Sequence, residues 1–354
     1  MTLTAKLLNG FLLAILLTPL INTAMADERQ AVVLMYHRFG EHQHPSTNIT
    51  LAQFGAHLEY LSQAGYEVWP LTKVVKHLSE KRPFPARVVS ISIDDAYQSV
   101  FTEAFPRMKQ RGWPFTVFVS SKAVDDQLAD FMSWEQMREM QSHNVSFENH
   151  SASHDYLVRR GQGETADQWL HRVKTDITHA QQRITKELGR EPTLFAYPYG
   201  EYTTLLANLV KDMGLVAFGQ QSGPVGLGSD QRALPRFPMA EQFGAIDDFS
   251  QKVQTLAFPL LSVQPWDPLL DKQADKGPHM EIQLGHSTAK LDQLACFVAG
   301  QGQVEIEWID RKARHFSLQA PKPLPAGRGR YNCTAPSPRR GRYYWFSHLW
   351  IIPR

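Results

Sequence analysis

Two histidines separated by three residues, His150 and His154, and two adjacent aspartates upstream, Asp94 and Asp95, are the side chains of this sequence best suited to chemistry. Imidazole nitrogens and a carboxylate oxygen are donors that a divalent transition metal accepts, and three protein ligands leave positions open for water or a substrate oxygen. A metal so held polarises that oxygen and turns water into a nucleophile near neutral pH. The second aspartate, next to the ligand, is then placed to work as a base. Each motif alone has a plainer reading. Adjacent aspartates after a strand often cap a helix, and His-x-x-x-His can be one side of a solvated helix. Together they point to metal-assisted hydrolysis.

Such residues need a framework that gathers them. Near-continuous apolar runs at 31–36, 88–93, 115–119, 145–148, 193–197 and 216–218, with weaker ones at 66–69 and 234–237, read as strands buried on both faces of a parallel sheet. Helical patterns alternate with them. One opens at Thr50 with Gln53 as capping partner, one at Ser133 with Gln136, and a long one spans roughly 164–188 and stops at Gly189. The fold expected is α/β, a distorted (β/α) barrel of seven or so units. Active sites of such barrels lie at the C-terminal ends of the strands. Asp94-Asp95, His150, Pro198-Tyr199-Gly200 and His37 each follow one of the predicted strands, so four polar clusters fall on one rim.

The chain is 354 residues long, enough for a barrel and a smaller second domain. Lys6, the apolar stretch 11–21 and Ala24-Met25-Ala26 read as a signal peptide over residues 1–26. That stretch is too short for a comfortable membrane span, and no later one matches it. The mature protein is expected to be exported, to a periplasm or by secretion, with no stable membrane span. Cys296 and Cys333 are then either a disulfide or two buried thiols. The barrel is assigned to 27–260. Beyond it Pro259, Pro265 and Pro268 mark a linker-like stretch, and short alternating runs at 280–284, 294–298, 304–308, 315–318 and 343–352 predict an all-β sandwich over 261–354, with turn-rich segments at 321–330 and 336–342. Tyr343, Tyr344, Trp345, Phe346 and Trp350 would either stack on sugars or pack a core. The net charge of +2 lacks the strong basic excess of a nucleic-acid partner. Oligomeric state is not written in the sequence.

Residues 31–240 resemble the NodB-homology polysaccharide deacetylases, carbohydrate esterase family 4. Ser92-Ile93-Asp94-Asp95 matches the first motif, His150-Ser151-Ala152-Ser153-His154 the second and Ala196-Tyr197-Pro198-Tyr199-Gly200 the third. Leu34-Met35-Tyr36-His37-Arg38-Phe39 resembles the branch that includes the poly-β-1,6-N-acetylglucosamine deacetylases of biofilm systems. The resemblance implies removal of N-acetyl, less often O-acetyl, groups from a polysaccharide or oligosaccharide. It implies a divalent ion (zinc foremost, with nickel, cobalt and iron compatible) on Asp95, His150 and His154, and Asp94 as the base. A backbone N–H near Tyr199, beside Pro198, would meet the oxyanion. The family's arginine two residues before the third-motif proline is replaced by Ala196. The fourth motif and the late Leu-x-x-His have no counterpart, since 255–259 reads Thr-Leu-Ala-Phe-Pro. In the biofilm branch the acid histidine lies on the first strand, where His37 stands. Arg236 has two readings, orienting Asp94 through a charge-assisted bond or forming an ordinary surface ion pair. The last hundred residues lie outside the resemblance and are expected to assist polymer binding rather than chemistry. Two other classes stay open. A glycoside hydrolase needs two carboxylates across a groove, which adjacent aspartates serve poorly. A non-catalytic carbohydrate-binding protein would not need the intact Asp and His set.

Overall fold

The computed structural model describes residues 30–270 and 277–353, and the signal peptide expected over 1–26 lies outside them. Eight strands form one sheet in which every pairing is parallel: β1 (Ala31–Tyr36), β2 (Glu67–Val68), β3 (Val88–Asp94), β4 (Phe115–Val119), β5 (Val145–Asn149), β6 (Leu194–Ala196), β7 (Val216–Phe218) and β8 (Phe237–Pro238). Their order is β8-β1-β3-β4-β5-β6-β7, with β2 beside the start of β3. A parallel bridge between Phe218 and Leu234 brings β7 round to the segment entering β8. The sheet thus curls into a distorted barrel, as the alternation of strand and helix patterns predicts.

Side-chain parity explains why the strands read as unbroken apolar runs. In β1, Val32, Leu34 and Tyr36 pack outward against helix residues such as Phe54 and Leu58, while Ala31 and Val33 meet Phe118, Leu194 and Phe218 across the barrel. Both faces are buried, so both parities are apolar. In β3 the outward set is Val89, Ile91 and Ile93, which leaves Ser90, Ser92 and Asp94 on the inward face. Polar residues inside a barrel must find partners, and these do, as described below.

The helices begin where their capping chemistry dictates. Thr50 with Gln53 and Ser133 with Gln136 form capping boxes ahead of Leu51–Gln63 and Trp134–Gln141. The long helix runs Ala166–Leu188, starting later than its polar approach suggested because Thr165 and Gln168 make the cap, and it ends at Gly189 with φ 71°. None of the described helices is long and apolar enough to cross a membrane.

After β8 the chain builds two further sheets. One pairs Leu256–Ala257 in parallel with Tyr343–Ile352, which continues antiparallel to Gly327–Pro336, Ala295–Val298 and Gly302–Val304. The other is antiparallel, in the order Leu260–Gln264, His279–Leu284, His315–Gln319, Ile306–Asp310. Met280, Ile282, Phe316 and Leu318 from one face Val298, Tyr331, Tyr344 and Trp350 from the other, a sandwich core. Cys296 and Cys333, paired across neighbouring strands, form a disulfide. Three elements differ from expectation. Leu260–Gln264 is an edge strand where a linker was read, its flanking prolines falling just outside it. Gly327–Pro336 occupies part of a stretch read as turn. The run 304–308 breaks at Glu305, and its halves enter different sheets. Tyr344 and Trp350 are fully buried, so packing is their role. The last strand also joins the barrel: Leu349 and Ile351 pack with Trp169, Ile177 and Tyr197, and Trp345 meets Phe237 edge-on at 5.5 Å.

Candidate metal site and active-site rim

Three loops at the C-terminal strand ends carry the convergent residues. After β3 the chain turns through Asp95 (φ 75°) and Ala96 (φ 63°), and the loop after β5 contains Ser151 (φ 65°) and His154 (φ 56°). Tyr199, after β6, has φ 60°. These are five of the ten non-glycine residues with positive φ among the described residues, a concentration of backbone strain typical of functional sites. The segment 150–154 is a loop, not a helix. Asn149 Oδ1 accepts from Ser151 N at 2.8 Å and Ser151 Oγ from His154 N at 3.0 Å. The Asp176 carboxylate, on the long helix, accepts from Ala152 N at 3.1 Å and Ser153 N at 3.0 Å.

This bracing aims both imidazoles at Asp95. His154 Nε2 lies 3.0 Å and His150 Nε2 3.2 Å from Asp95 Oδ1, and the three donor atoms lie within 4.8 Å of one another. His150 Nδ1 stands 2.8 Å from the Ala196 carbonyl, to which it must donate. In the neutral ring Nε2 is then a lone pair. Asp95 Oδ1 is buried and receives no hydrogen bond of acceptable geometry. A buried carboxylate oxygen without a hydrogen bond, faced by two imidazole nitrogens at this range, fits a cation at their centre. Burial would raise the Asp95 carboxyl, but the imidazoles outweigh it and hold the group well below the usual carboxylate range. Burial pushes His154 down, and Asp95, Asp94 and Asp155 together push it up to a net rise.

Asp94 sits beside this set in a different environment. Arg236 grips it in a bidentate fork, Nη1 to Oδ1 at 2.7 Å and Nη2 to Oδ2 at 2.8 Å, and both residues are wholly buried. The guanidinium also donates to Ser92 Oγ at 3.1 Å and the Gly219 carbonyl at 3.0 Å. Of the two readings of Arg236, the geometry is that of the buried, oriented pair. Burial favours the protonated acid, yet Arg236, with His150 and His37, outweighs it and Asp94 lies below its ordinary value. His37 Nε2 is 4.0 Å from Asp94 Oδ2, with its side chain 14% exposed. Burial lowers the His37 imidazole against the pull of Asp95 and Asp94.

The third motif forms a tight turn, Pro198–Gly200, in which Pro198 is buried. Gly200 has φ 72°, and a Cβ there would come within 2.5 Å of the Gln220 side chain, so only glycine fits. The Tyr199 ring stacks on Tyr156 at 4.0 Å and stands edge-on to His154 at 4.7 Å. Tyr156, Asp176 and Tyr97 went unread in the sequence. The Tyr97 ring lies under the Arg38 guanidinium at 3.5 Å, and its hydroxyl faces Asp95. Its place two residues after Asp95 was the only available signal.

The model of the polysaccharide deacetylase family matches residues 81–218, a span that holds Asp94, Asp95, His150, His154 and Tyr199 but neither His37 nor Arg236. The poly-β-1,6-N-acetyl-D-glucosamine N-deacetylase of Escherichia coli (strain K12) is 22% identical over 230 residues, covering 56% of this chain and 34% of its own. The Staphylococcus epidermidis protein of the same name is 23% identical over 229 residues, 59% of this chain and 79% of its own. A Bacillus subtilis relative, 25% identical, is matched over 57% of its length, so the chain spans only part of these curated relatives. Among solved structures, the Streptococcus pyogenes deacetylase PplD superposes with a TM-score of 0.57 at 18% identity, over 64% of this chain and 99% of that one. IcaB from Ammonifex degensii gives 0.54 at 23% identity, over 64% and 97%. These likenesses show the barrel fold, while the motifs stand in family order on its rim. Residues 81–218 are thus similar to the polysaccharide deacetylase family, and the barrel that carries them has the fold of the solved deacetylases.

Proposed function

We propose that the protein removes N-acetyl groups from an N-acetylated amino-sugar polymer or its oligomers by metal-assisted hydrolysis, with β-1,6-linked poly-N-acetylglucosamine as the substrate class. The convergence of Asp95, His150 and His154 beside a second, ionised carboxylate carries this reading. The substrate class follows the names of the relatives. Asp95, His150 and His154 would hold a divalent ion, zinc foremost, which when bound acts as a Lewis acid and lowers the pKa of water.

The chain's own residues do the rest. Arg236 keeps Asp94 anionic and fixes its orientation, so Asp94 is ready to accept the proton of the attacking water. His37, whose Nε2 stands 4.0 Å from Asp94 Oδ2 on the same rim, is placed to act in its protonated form as the acid toward the nitrogen of the substrate. An amine leaves poorly unless protonated, so this transfer matters for an amide more than for an ester. In the Pro198–Gly200 turn the Gly200 N–H is taken by the Tyr197 carbonyl, so the Tyr199 N–H is the donor assigned to the developing oxyanion. The stacked Tyr199 and Tyr156 rings give a sugar a flat surface beside His154.

The protein works outside the cytoplasm in this account, in a periplasm or secreted. The leader expected over 1–26 and the Cys296–Cys333 disulfide support that placement. Residues 27–260 supply the catalytic unit and 261–354 an accessory β-sandwich for polymer binding. Acetate release from β-1,6-linked N-acetylglucosamine, chitin and peptidoglycan oligomers by metal-reconstituted enzyme tests the function. The β-1,6 oligomers should be the best substrates, and no acetate from any of them would end the proposal.

A further inference from the structure

Arg328 carries the C-terminal sheets to the active-site rim. Arg328 lies near the start of Gly327–Pro336, beyond the span matched by the family. Its Nη1 donates to the main-chain carbonyl of Tyr199 at 2.6 Å and approaches Gln220 Oε1 at 3.5 Å, while its Nε lies 3.8 Å from the Glu201 carboxylate. One guanidinium therefore ties together the turn, Glu201 directly after it and Gln220 in the loop after β7.

That turn needs holding. Tyr199 at φ 60° sits in the left-handed region, which is strained for a residue bearing a Cβ. The carbonyl that Arg328 grips belongs to the peptide unit joining Tyr199 to Gly200, and the ring on the same residue rests against His154. If this peptide relaxed, the ring and the neighbouring N–H would move with it. The Arg328 side chain is 39% exposed and fills no core, so its effect is exerted through these polar contacts.

We propose that Arg328 is a positioning residue of the active site, through which the C-terminal β-sandwich sets the geometry of the Tyr199 turn. The sandwich then completes the site as well as serving the polymer. The inference rests on the reading of that turn as part of the substrate site.

The test uses the full-length, metal-loaded chain as wild type, Arg328→Ala and Arg328→Lys, each also prepared with 3-fluorotyrosine so that the Tyr199 fluorine resonance can be followed and assigned through Tyr199→Phe. Arg328→Ala should lower kcat on N-acetylglucosamine oligomers about 10- to 100-fold, since small misplacements of a site group cost that much. Metal content and Tm should stay near wild type. The lysine variant should recover most of the rate, because an ammonium still reaches a carbonyl. The Tyr199 resonance should move or broaden in the alanine variant and return in the lysine variant. Turnover of Arg328→Ala within twofold of wild type, or an unmoved Tyr199 resonance, overturns the proposal. So does an equal loss in both variants accompanied by loss of metal. If the wild type itself releases no acetate, the deacetylase reading fails, and the fluorine resonance alone decides whether Arg328 holds the turn.

Discussion

Arg236→Met removes one half of an ion pair that has no access to water. Asp94 and Arg236 are both fully buried and share two hydrogen bonds of 2.7 and 2.8 Å, and the same guanidinium satisfies Ser92 and the Gly219 carbonyl. Breaking a buried pair by removing one partner costs about 3–5 kcal/mol, because the other charge is left uncompensated. The cost has a pH signature. In the wild type Asp94 lies below its unfolded value, so its contribution to stability is present above that value and lost as pH falls through the lower folded one. Without Arg236 burial prevails, and the folded value rises above the unfolded one. Stability is then greatest in acid and declines as pH rises from the unfolded carboxylate range toward the raised folded value. Urea unfolding of metal-free wild type and Arg236→Met at pH 5 and pH 8 measures both effects. The destabilisation should reach about 3 kcal/mol or more at pH 8 and be smaller at pH 5. A difference below about 1 kcal/mol, or one indifferent to pH, would refute the argument that Arg236 keeps a buried Asp94 ionised.

Three further outcomes are expected. Asp94→Asn should keep its metal while turnover falls about 10²- to 10⁴-fold, and turnover within a few-fold of wild type would move the base elsewhere. His37→Ala should lose amide hydrolysis severely while sparing an activated aryl acetate, whose leaving group needs little protonation; equal losses on both would assign His37 a structural role. His57 and His348 are each pushed down to about 4 by burial, His57 receiving the Tyr36 hydroxyl on Nδ1 and donating from Nε2 to the Gly244 carbonyl. The unfolded chain takes up protons on these histidines near pH 6.5 and the folded chain does not, so stability should fall as pH drops from about 6.5 toward 4, by about 1.4 kcal/mol per pKa unit for each. Thermal melting of the metal-free protein across that window checks it, and a flat profile would contradict it.

What the sequence disclosed and what it withheld follow from the range of the interactions. The strands β1 and β3 were legible because burial on both faces demands unbroken apolar runs, and the helix starts because Thr50–Gln53 and Ser133–Gln136 are local pairs. The rim positions of Asp94, Asp95, His150 and Tyr199 followed from barrel geometry once the strands were placed. The strand Gly327–Pro336 was hidden because its inward residues, Gly329, Tyr331, Cys333 and Ala335, are mostly small and flanked by Gly and Arg. Asp176 and Tyr156 carry no periodic signal and reach the site only through the packing of the long helix and its preceding loop. Arg236 meets Asp94 across 142 residues and Arg328 meets Tyr199 across 129, separations at which local patterning is silent. Whether Arg236 is buried decides its role, and burial at that distance is a property of the closed barrel alone.

The central claim is that Asp95, His150 and His154 hold the ion on which acetate release depends. Its most direct test is metal content and acetate release measured together on wild type and His154→Ala, before and after chelation and refilling with zinc. The account predicts that chelation abolishes acetate release by the wild type and zinc restores it with about one ion per chain, whereas folded His154→Ala neither retains the ion nor regains turnover. Full metal occupancy in His154→Ala, or full turnover by the chelated wild type, would contradict it.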